Sequence, residues 1–323
     1  MTTESSSVIK PGARFVATGA AGFIASHLID QLLRAGVEVV GFDDLSSGRE
    51  ENVAELLEQP GFELHIADVS DGISVSGQVD AVLHLASPAS PVDYLAHPIE
   101  TMRVGSEGTR WALDLALERS ARFFLSSTSE VYGDPLVHPQ PETYWGNVNP
   151  IGVRSVYDEA KRFAEALTFA YERAHGLDVR VARIFNTYGP RMRPNDGRVV
   201  SNFIIQALRG DDITVYGDGM QTRSFCFVDD EVRGLLALLN SDLRGPVNIG
   251  NDNEIDMLTL ASQVVELTGS RSTIVYADLP KDDPKQRRPD LTRARTELGW
   301  SPQISLRDGL QPTIAHFAAI DPS

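Results

Sequence analysis

A glycine-rich turn between an apolar strand and an amphipathic helix most strongly constrains the fold of this chain. The segment RFVATGAAGFIASHLIDQLLRAG places Gly19, Gly22 and Ala25 where the strand turns into the helix. Such small residues let the backbone approach a pyrophosphate, and the helix N-terminus supplies N–H groups and the positive end of its dipole. A glycine turn can also merely pack a helix onto a strand. The pattern alone therefore indicates a dinucleotide site without establishing one.

The segments that follow alternate between short apolar strands and helices. EVVGF, FELHI, AVLHLA, RFFLS and DVRVARI are typical of strands, and EGTRWALDLALE and SVYDEAKRFAEALTFAYERAHG of helices. This alternation predicts an α/β fold with a Rossmann-like, doubly wound parallel sheet. From about Asn186 the loops become rich in Gly, Pro, Asn and Arg, and the helices shorten, which indicates a smaller C-terminal α/β substrate lobe.

We therefore expect a disordered tail at residues 1–12 and a dinucleotide-binding domain at 13–185. A return segment at about 224–250 would rejoin that domain, and residues 186–223 and 251–320 would form the substrate lobe.

Charge excludes one class of partner. The chain has 45 acidic and 29 basic residues and a net charge of -16, so a nucleic-acid surface would oppose the overall field. A small anionic ligand can still bind at a local cluster such as Arg191, Arg193 and Arg198.

Cysteine, histidine and hydropathy patterns point to a metal-free protein in a reducing compartment. Cys226 is the single cysteine, and the seven histidines lack ligand-like spacing. The polar start MTTESSSVIKPG does not resemble a secretion signal, and no run approaches the ~18 to 20 apolar residues of a membrane span. We expect a cytoplasmic protein without membrane contact.

Two carboxylates strengthen the dinucleotide hypothesis. The second predicted strand ends in Asp43 and Asp44, roughly 20 residues beyond the glycines, where a carboxylate can bond ribose hydroxyls. Because a carboxylate repels a 2′-phosphate, the expected cofactor is NAD rather than NADP. Asp68 and Val69 follow the third strand, where they fit either an adenine contact or a plain strand end.

A tyrosine and a lysine one helical turn apart suggest the chemistry. In SVYDEAK, Tyr157 and Lys161 lie on one helical face, and the ammonium would favour the phenolate and make the tyrosine a base. Upstream, SSTSEVYGDP places Thr128 at a strand end. Thr128, Tyr157 and Lys161, following a dinucleotide motif, resemble the constellation of the short-chain dehydrogenase/reductase superfamily.

Longer segments resemble one branch of that superfamily. HLASPASPVDY, STSEVYGDPLVHPQPETYWGNVNPIG, VRVARIFNTYGPRMRPNDGRVVSNFI, TVYGDGMQTRSFCFVDD and DDPKQRRPD are similar to the UDP-glucuronic acid decarboxylase family. The resemblance implies conversion of UDP-glucuronic acid to UDP-xylose through a 4-keto sugar, which loses carbon dioxide as a β-keto acid and is then reduced. In this branch Ser129-Glu130 is typical of decarboxylases, whereas dehydratases carry Asp-Glu.

The resemblance also implies roles for individual residues. Tyr157 and Thr128 would act at the 4-hydroxyl, and Glu130 and Arg287 around C5 and the carboxylate, with Ser129 assisting. The implied catalytic residues are Thr128, Ser129, Glu130, Tyr157, Lys161 and Arg287. The implied NAD-binding residues are Gly19, Gly22, Phe23, Ile24, Asp43, Asp44, Ser47, Gly48, Asp68, Val69, Leu85, Ser87, Tyr157, Lys161, Thr187 and Arg198. The implied substrate-binding residues are Tyr94, Asn186, Arg191, Arg223 and Arg287. The family likeness further implies a homodimer joined through helices that include the one bearing Tyr157.

Two positions depart from the family pattern. Gly105 in VGSEGT stands where many relatives have Asn, and Asp44 stands where Asn is more usual. Because glycine within a helix costs about 1 kcal/mol relative to alanine, Gly105 needs a compensating reason.

Several alternatives remain open. They are an oxidative decarboxylase that stops at the 4-keto pentose, another nucleotide-sugar epimerase or dehydratase, and a non-catalytic NAD-sensing regulator on the same fold. Loss of the tyrosine and lysine is common in such regulators, and both residues are present here.

Overall fold

A seven-stranded parallel sheet organises the computed structural model, which describes residues 7–278 and 286–320. The strands are β1 (Arg14–Thr18), β2 (Glu38–Asp43), β3 (Phe62–Ile66), β4 (Ala81–His84), β5 (Arg122–Thr128), β6 (Val179–Ile184), β7 (Thr187–Tyr188), β8 (Ile213–Tyr216), β9 (Thr222–Ser224), β10 (Cys226–Phe227), β11 (Pro246–Ile249), β12 (Glu254–Asp256), β13 (Ile274–Ala277) and β14 (Gln286–Arg287). The order in the large sheet is β11-β6-β5-β4-β1-β2-β3. Strand order reverses between β1 and β4, which creates a crevice at their carboxyl ends.

Helices cover both faces of this sheet. They are α1 (Phe23–Arg34), α2 (Ala54–Leu57), α3 (Pro91–Ala96), α4 (Pro98–Arg103), α5 (Thr109–Arg119), α6 (Ser155–His175), α7 (Val199–Arg209), α8 (Val228–Leu239), α9 (Met257–Thr268), α10 (Thr292–Glu297) and α11 (Leu306–Ile320). A π-helical turn, Val104–Gly108, joins α4 to α5, and 3₁₀ turns occupy Glu50–Asn52 and Ser129–Tyr132. Within the described residues, no helix combines the length and apolar character needed to cross a bilayer.

Successive side chains of each central strand pack alternately into two hydrophobic cores, one on each face of the sheet. In β1, Phe15 packs into the core that contains Leu28 of α1 and Leu235 of α8. Its neighbour Val16 packs into the opposite core, with Leu113 of α5. This period-2 division is what a sheet covered on both faces requires. The predicted doubly wound parallel α/β fold is confirmed.

Smaller sheets build the lobe beside the crevice. β8 pairs with β13, while β9 lies between β12 and β14. The return segment expected at 224–250 supplies α8 and the edge strand β11, so the chain passes through the lobe and back. Residues 282–285 of the DDPKQRRPD motif lie outside the described residues.

The N-terminal segment differs from the expected tail at residues 1–12. The Gly12 N–H donates to the Gly36 carbonyl oxygen at 2.8 Å, and the Ser7 hydroxyl to Asn240 Oδ1 at 2.7 Å. Val8 and Ile9 pack against the core. From residue 7 onward the segment is therefore part of the fold, and the prediction of disorder is wrong there. Residues 1–6 lie outside the described residues.

Gly105 lies where the π-helical turn meets α6. A β-carbon built on Gly105 would lie 2.6 Å from Ala160 Cβ and 3.1 Å from Ala160 Cα. Real β-carbons do not approach other atoms that closely, so only glycine allows the two helices this separation. This contact is the compensating reason that a glycine within a helix requires.

Candidate active site

A cleft of about 650 Å³ opens at the carboxyl ends of the central strands, between the sheet and the smaller lobe. Its walls come from the turn after β1, α3, the end of β5, the first turns of α6, the segment after β6, and β9 and β14. A site at the switch in strand order, closed by a second lobe, is the usual location for a dinucleotide and substrate in such folds.

The glycine turn forms one end of this cleft. Gly19 has φ +69°, and a β-carbon there would lie 2.7 Å from the backbone nitrogen of Ala86. At Gly22, the residue before α1, no side chain among the described residues caps the helix. The first N–H groups of α1 have no partner within the helix, and Gly22, Phe23 and Ile24 at its start line the cleft. This arrangement fits a pyrophosphate.

Most of the predicted NAD-binding residues line the same cleft. They are Gly19, Gly22, Phe23, Ile24, Ser47, Leu85, Ser87, Tyr157, Lys161, Thr187 and Arg198. The structure therefore brings together residues from six separate parts of the sequence.

The predicted acidic contacts lie outside the cleft lining. Asp43 is buried and accepts hydrogen bonds from the backbone N–H groups of Ala21 and Leu45, each at 2.9 Å. Burial raises the pKa of Asp43, and these two hydrogen bonds oppose the shift. Asp43 thus holds the glycine turn in place. A β-carbon at Gly48 would lie 2.6 Å from an Asp43 carboxylate oxygen, so Gly48 belongs to the same packing.

The remaining members of that set sit further from the cleft. The exposed Asp44 accepts hydrogen bonds from the Ser46 N–H at 2.9 Å and its hydroxyl at 2.6 Å. Asp68 accepts from the Ser70 N–H at 2.8 Å and lies beside Arg103. Val69 is buried in the core.

Thr128, Tyr157 and Lys161 meet in the cleft, as predicted from their order in the chain. β5 ends at Thr128, and α6 presents Tyr157 and Lys161 one turn apart. The Lys161 ammonium donates to the Ser126 carbonyl oxygen at 2.9 Å. The Tyr157 ring stacks on Tyr94, with centroids 5.3 Å apart and planes 9° apart. Lys161 Nζ lies 5.9 Å from the centroid of the same ring.

Burial governs the protonation states of this group. Burial raises the pKa of Tyr157 above its ordinary value, although a hydrogen bond with Thr128 opposes the shift. Burial also lowers the pKa of Lys161 to about 8. Burial therefore keeps Tyr157 a neutral phenol in the chain by itself, and stabilisation of its phenolate by Lys161 stays a prediction.

Glu130 joins two arginines at the other end of the cleft. Arg287 Nη1 donates to Glu130 Oε1, and Arg154 Nη2 donates to Oε2 at 2.7 Å. Arg287 also donates from Nη2 to the Gly133 carbonyl oxygen at 2.8 Å. Burial raises the pKa of Glu130, but the positive charges of Arg287 and Arg154 outweigh it and hold the pKa below its ordinary range. Glu130 is thus a carboxylate, and Ser129 lies buried beside it.

Further cations line the cleft beyond this group. β9 and β14 pair in parallel with Arg223 opposite Arg287, so two arginines from adjacent strands stand side by side. Arg191 has a buried Nη1 without a hydrogen-bond partner among the described residues. Asn186 and Tyr94 also line the cleft. This excess of positive charge in an acidic protein suits a ligand with several negative charges.

Two residues of the site were not found by sequence reasoning. Arg154 precedes α6, and Asp158 follows Tyr157 on it. Arg154 and Asp158 are spaced like Tyr157 and Lys161, one turn apart, and that repetition was the available signal. Their partner Glu130 lies 24 residues from Arg154 in the chain, and only the fold joins them.

Comparison with known proteins identifies the family. Residues 15–250 match the NAD dependent epimerase/dehydratase family. UDP-glucuronic acid decarboxylase 1 of Arabidopsis thaliana is 53% identical over 304 residues, which are 94% of this chain and 69% of the relative.

Solved structures share the complete fold. UDP-glucose 4-epimerase from Thermotoga maritima, with UDP-glucose, is 31% identical with a TM-score of 0.88, covering 95% of this chain and 99% of the epimerase. A second structure is a mutant UDP-glucuronic acid 4-epimerase from Bacillus cereus in complex with UDP-4-deoxy-4-fluoro-glucuronic acid and NAD. It is 27% identical with a TM-score of 0.84, and the match covers 95% of this chain and 99% of the epimerase. The chain therefore belongs to the NAD dependent epimerase/dehydratase family and, within it, to the UDP-glucuronic acid decarboxylases.

Proposed function

We propose that the cleft converts UDP-glucuronic acid to UDP-xylose and carbon dioxide, with NAD bound throughout the cycle. The observation that carries this proposal is the convergence of Glu130 and Arg287 on the cleft that holds Tyr157. A 4-epimerase that acts on UDP-glucuronic acid retains the substrate carboxylate, whereas a decarboxylase must position that carboxylate for loss, and the buried Glu130–Arg287 pair fits this second task. The decarboxylase relative and the NAD-bound epimerase support both the substrate class and the cofactor.

The glycine turn and the start of α1 would hold the NAD pyrophosphate, and Lys161 and Thr187 would lie near the remainder of the cofactor. When bound, NAD supplies reversible hydride exchange at a sugar carbon. In the acidic context of Asp43 and Asp44, the absence of a 2′-phosphate on NAD avoids charge repulsion.

Tyr157 would remove the proton from the 4-hydroxyl of the sugar and later return it. Thr128 hydrogen-bonds the phenol and would share the same substrate oxygen. Because both groups are buried, they can also stabilise negative charge on that oxygen.

The carboxylate chemistry follows from the resulting ketone. With a ketone at C4, the carboxylate on C5 belongs to a β-keto acid, whose C–C bond can break as the electron pair moves onto the C4 oxygen. Arg287 would orient this carboxylate, since a guanidinium is a rigid cationic fork and a poor proton donor. Protonation of C5 and reduction of C4 then complete the pentose.

Arg191 and Arg223 would bind the diphosphate of the nucleotide sugar. Both line the cleft, and Arg223 stands next to Arg287 across paired strands. Two arginines in the cleft can anchor the diphosphate while leaving Arg287 for the substrate carboxylate.

The proposal is tested by incubating purified protein with UDP-glucuronic acid and NAD while nucleotide sugars are followed by mass and NADH by absorbance at 340 nm. We expect a UDP-pentose without net NADH accumulation. A UDP-4-keto-pentose with stoichiometric NADH would instead identify an oxidative decarboxylase. An unchanged mass with an altered sugar would identify an epimerase, and NAD binding without turnover would identify a regulator.

The protein would act as a homodimer joined through α4 and α6. These neighbouring helices expose large apolar side chains, Ile99 and Met102 on α4 and Phe163 on α6. A self-complementary apolar surface of this kind is typical of two-fold dimers. Light scattering should give twice the mass of one chain, and F163E should halve it. A wild-type monomer at working concentration would contradict this assignment.

A further inference from the structure

A second cavity lies behind the Glu130 group. This back cavity, of about 280 Å³, is lined by Glu130, Arg154, Asp158 and Arg287 together with loop residues that include Asn147 and Asn149. Glu130, Arg154 and Arg287 line the main cleft as well, so they form the partition between the two spaces. The back cavity is polar and large enough for several water molecules.

Proton balance requires a supply route to this site. Loss of carbon dioxide from the substrate carboxylate leaves an electron pair on C5, which must form a C–H bond. The proton removed from the 4-hydroxyl returns to the same oxygen when the ketone is reduced, so it cannot serve C5. Each turnover of the proposed reaction therefore consumes one proton from solvent.

The residues that the proposed reaction places around C5 do not hold a proton that is available for transfer at neutral pH. Glu130 is held as a carboxylate by its two arginines, whose guanidinium groups remain protonated. Proton delivery therefore needs a further acid that is protonated at neutral pH and connected to Glu130.

Asp158 has these properties. It is only 6% exposed, lines the back cavity, and its Oδ1 has no hydrogen-bond partner among the described residues. Burial raises the pKa of Asp158 to about 7, repulsion from Glu130 and Glu159 adds to the shift, and Arg154 and Arg287 oppose it.

The same face of α6 explains how Asp158 is aligned. Arg154 and Asp158 are one turn apart, and Arg154 donates to Glu130. The phenols of Tyr94 and Tyr157 also lie within electrostatic range of Asp158, and burial keeps both neutral. Among the described residues, the negative charge from another element that repels Asp158 is therefore that of Glu130.

We propose that Asp158 is the proton-relay residue for C5, acting through Glu130 from the back cavity. This inference rests on the proposed decarboxylase function. The Asp158 acid transfers its proton, through water in the back cavity, to the Glu130 carboxylate. Glu130 then gives that proton to C5, whose electron pair forms the new C–H bond. Asp158, now a carboxylate, regains a proton from solvent through the back cavity.

The test compares D158N holoenzyme with wild type in single turnovers, following CO2 release, absorbance at 340 nm and UDP-xylose formation separately. In D158N we expect CO2 release within about threefold of wild type, but UDP-xylose formation slower by roughly 10²-fold. Because the unprotonated enolate cannot be reduced, about one equivalent of NADH should persist on the enzyme.

The pH profile gives a second readout. In wild type, UDP-xylose formation should fall as pH rises through about 7, where Asp158 loses its proton. D158N should lack this decline. The neighbouring variant E159Q is the matched control, because Glu159 is outside the back-cavity lining. It should retain the wild-type rate and the decline at high pH, with the midpoint moved slightly to lower pH because the repulsion between Glu159 and Asp158 is lost.

Other outcomes separate the hypotheses. Equal slowing of CO2 release and UDP-xylose formation in D158N, or an unchanged pH profile, would overturn the relay. If wild type itself forms no UDP-pentose, the proposed function fails instead. Should D158N not fold, D158E retains a titrating acid at the same place. In D158E the rate of UDP-xylose formation should still decline at high pH, with the midpoint of the decline displaced. If D158E shows no such decline, the proposal is contradicted.

Discussion

Arg287 donates a hydrogen bond to Glu130 across the cleft, although the two residues are 157 positions apart in the chain. Arg287 reaches this position from β14, which pairs with β9, whereas Glu130 follows directly after β5. The contact therefore joins the lobe to the central sheet at the point where the substrate carboxylate would lie. It makes the relative placement of lobe and sheet part of the catalytic geometry.

Replacing Arg287 with lysine should distinguish the contribution of its positive charge from that of its two simultaneous hydrogen bonds. R287K keeps a cation but cannot donate at once to Glu130 and to the Gly133 carbonyl oxygen. Since a charge-assisted hydrogen bond contributes about 1.5–3 kcal/mol, we expect CO2 release to slow by roughly 10- to 100-fold. Stopped-time assays of CO2 measure this effect.

The neighbouring substitution R288K provides the control. The Arg288 side chain is 37% exposed and lies 3.7 Å from Glu254, away from the cleft lining. Its activity should stay within about twofold of wild type. Equal losses in R287K and R288K would show that the effect arises from the lobe as a whole.

Removal of the Tyr157 hydroxyl should block oxidation while leaving the cleft intact. Because burial raises the pKa of Tyr157, the fraction of phenolate and hence the rate of ketone formation should increase with pH in wild type. Y157F should lose roughly 10³-fold in rate, together with this pH dependence. NAD titration followed by fluorescence should show retained binding. A Y157F enzyme with substantial turnover would rule out this residue as the base.

The buried charge of Lys161 should lower the free energy of unfolding of this protein. Its pKa falls from 10.5 to about 8 on folding, so between these values the unfolded chain binds more protons and wild-type stability rises with pH. Below pH 8 the unfavourable burial of the charge is fully present. K161M should therefore be more stable than wild type by about 2 kcal/mol at pH 7, although inactive.

Urea unfolding at pH 7 and at pH 9.5 measures this difference. The advantage of K161M should shrink at the higher pH, because wild-type Lys161 is then neutral. A constant difference between the two pH values would show that packing, rather than charge, separates the two proteins.

Gly105 should tolerate no side chain. G105A gains helix propensity of about 1 kcal/mol, yet its β-carbon would overlap Ala160. We expect a net loss of about 1–3 kcal/mol in the free energy of unfolding, and a fall in kcat because α6 also carries Tyr157 and Lys161. Thermal unfolding and steady-state assays measure both effects.

The double variant G105A/A160G tests the contact itself. Removing the Ala160 methyl group should restore much of the activity that G105A loses, so the two changes should be strongly non-additive. Independent effects of the two substitutions would mean that the helix separation does not depend on this pair.

The sequence by itself determined the elements and their order. The strands and helices of the nucleotide-binding half were predictable because apolar periodicities of 2 and 3.6 report directly which face is buried. The glycine turn was recognisable because Gly19 adopts a conformation that other residues rarely reach. Thr128, Tyr157, Lys161, Glu130 and Arg287 were identifiable from local motifs and family resemblance.

Only the tertiary structure decided what those residues contact. In the fold, the buried Asp43 accepts a hydrogen bond from the glycine turn, and Gly105 packs against Ala160. Burial in the fold also raises the pKa of Tyr157. The tertiary structure also brought Arg154 and Asp158 behind Glu130. Burial and electrostatic environment arise from residues far apart in the chain, so no local pattern encodes them. For this reason the sequence indicated the candidate catalytic residues, while the fold revealed the surroundings that set their protonation.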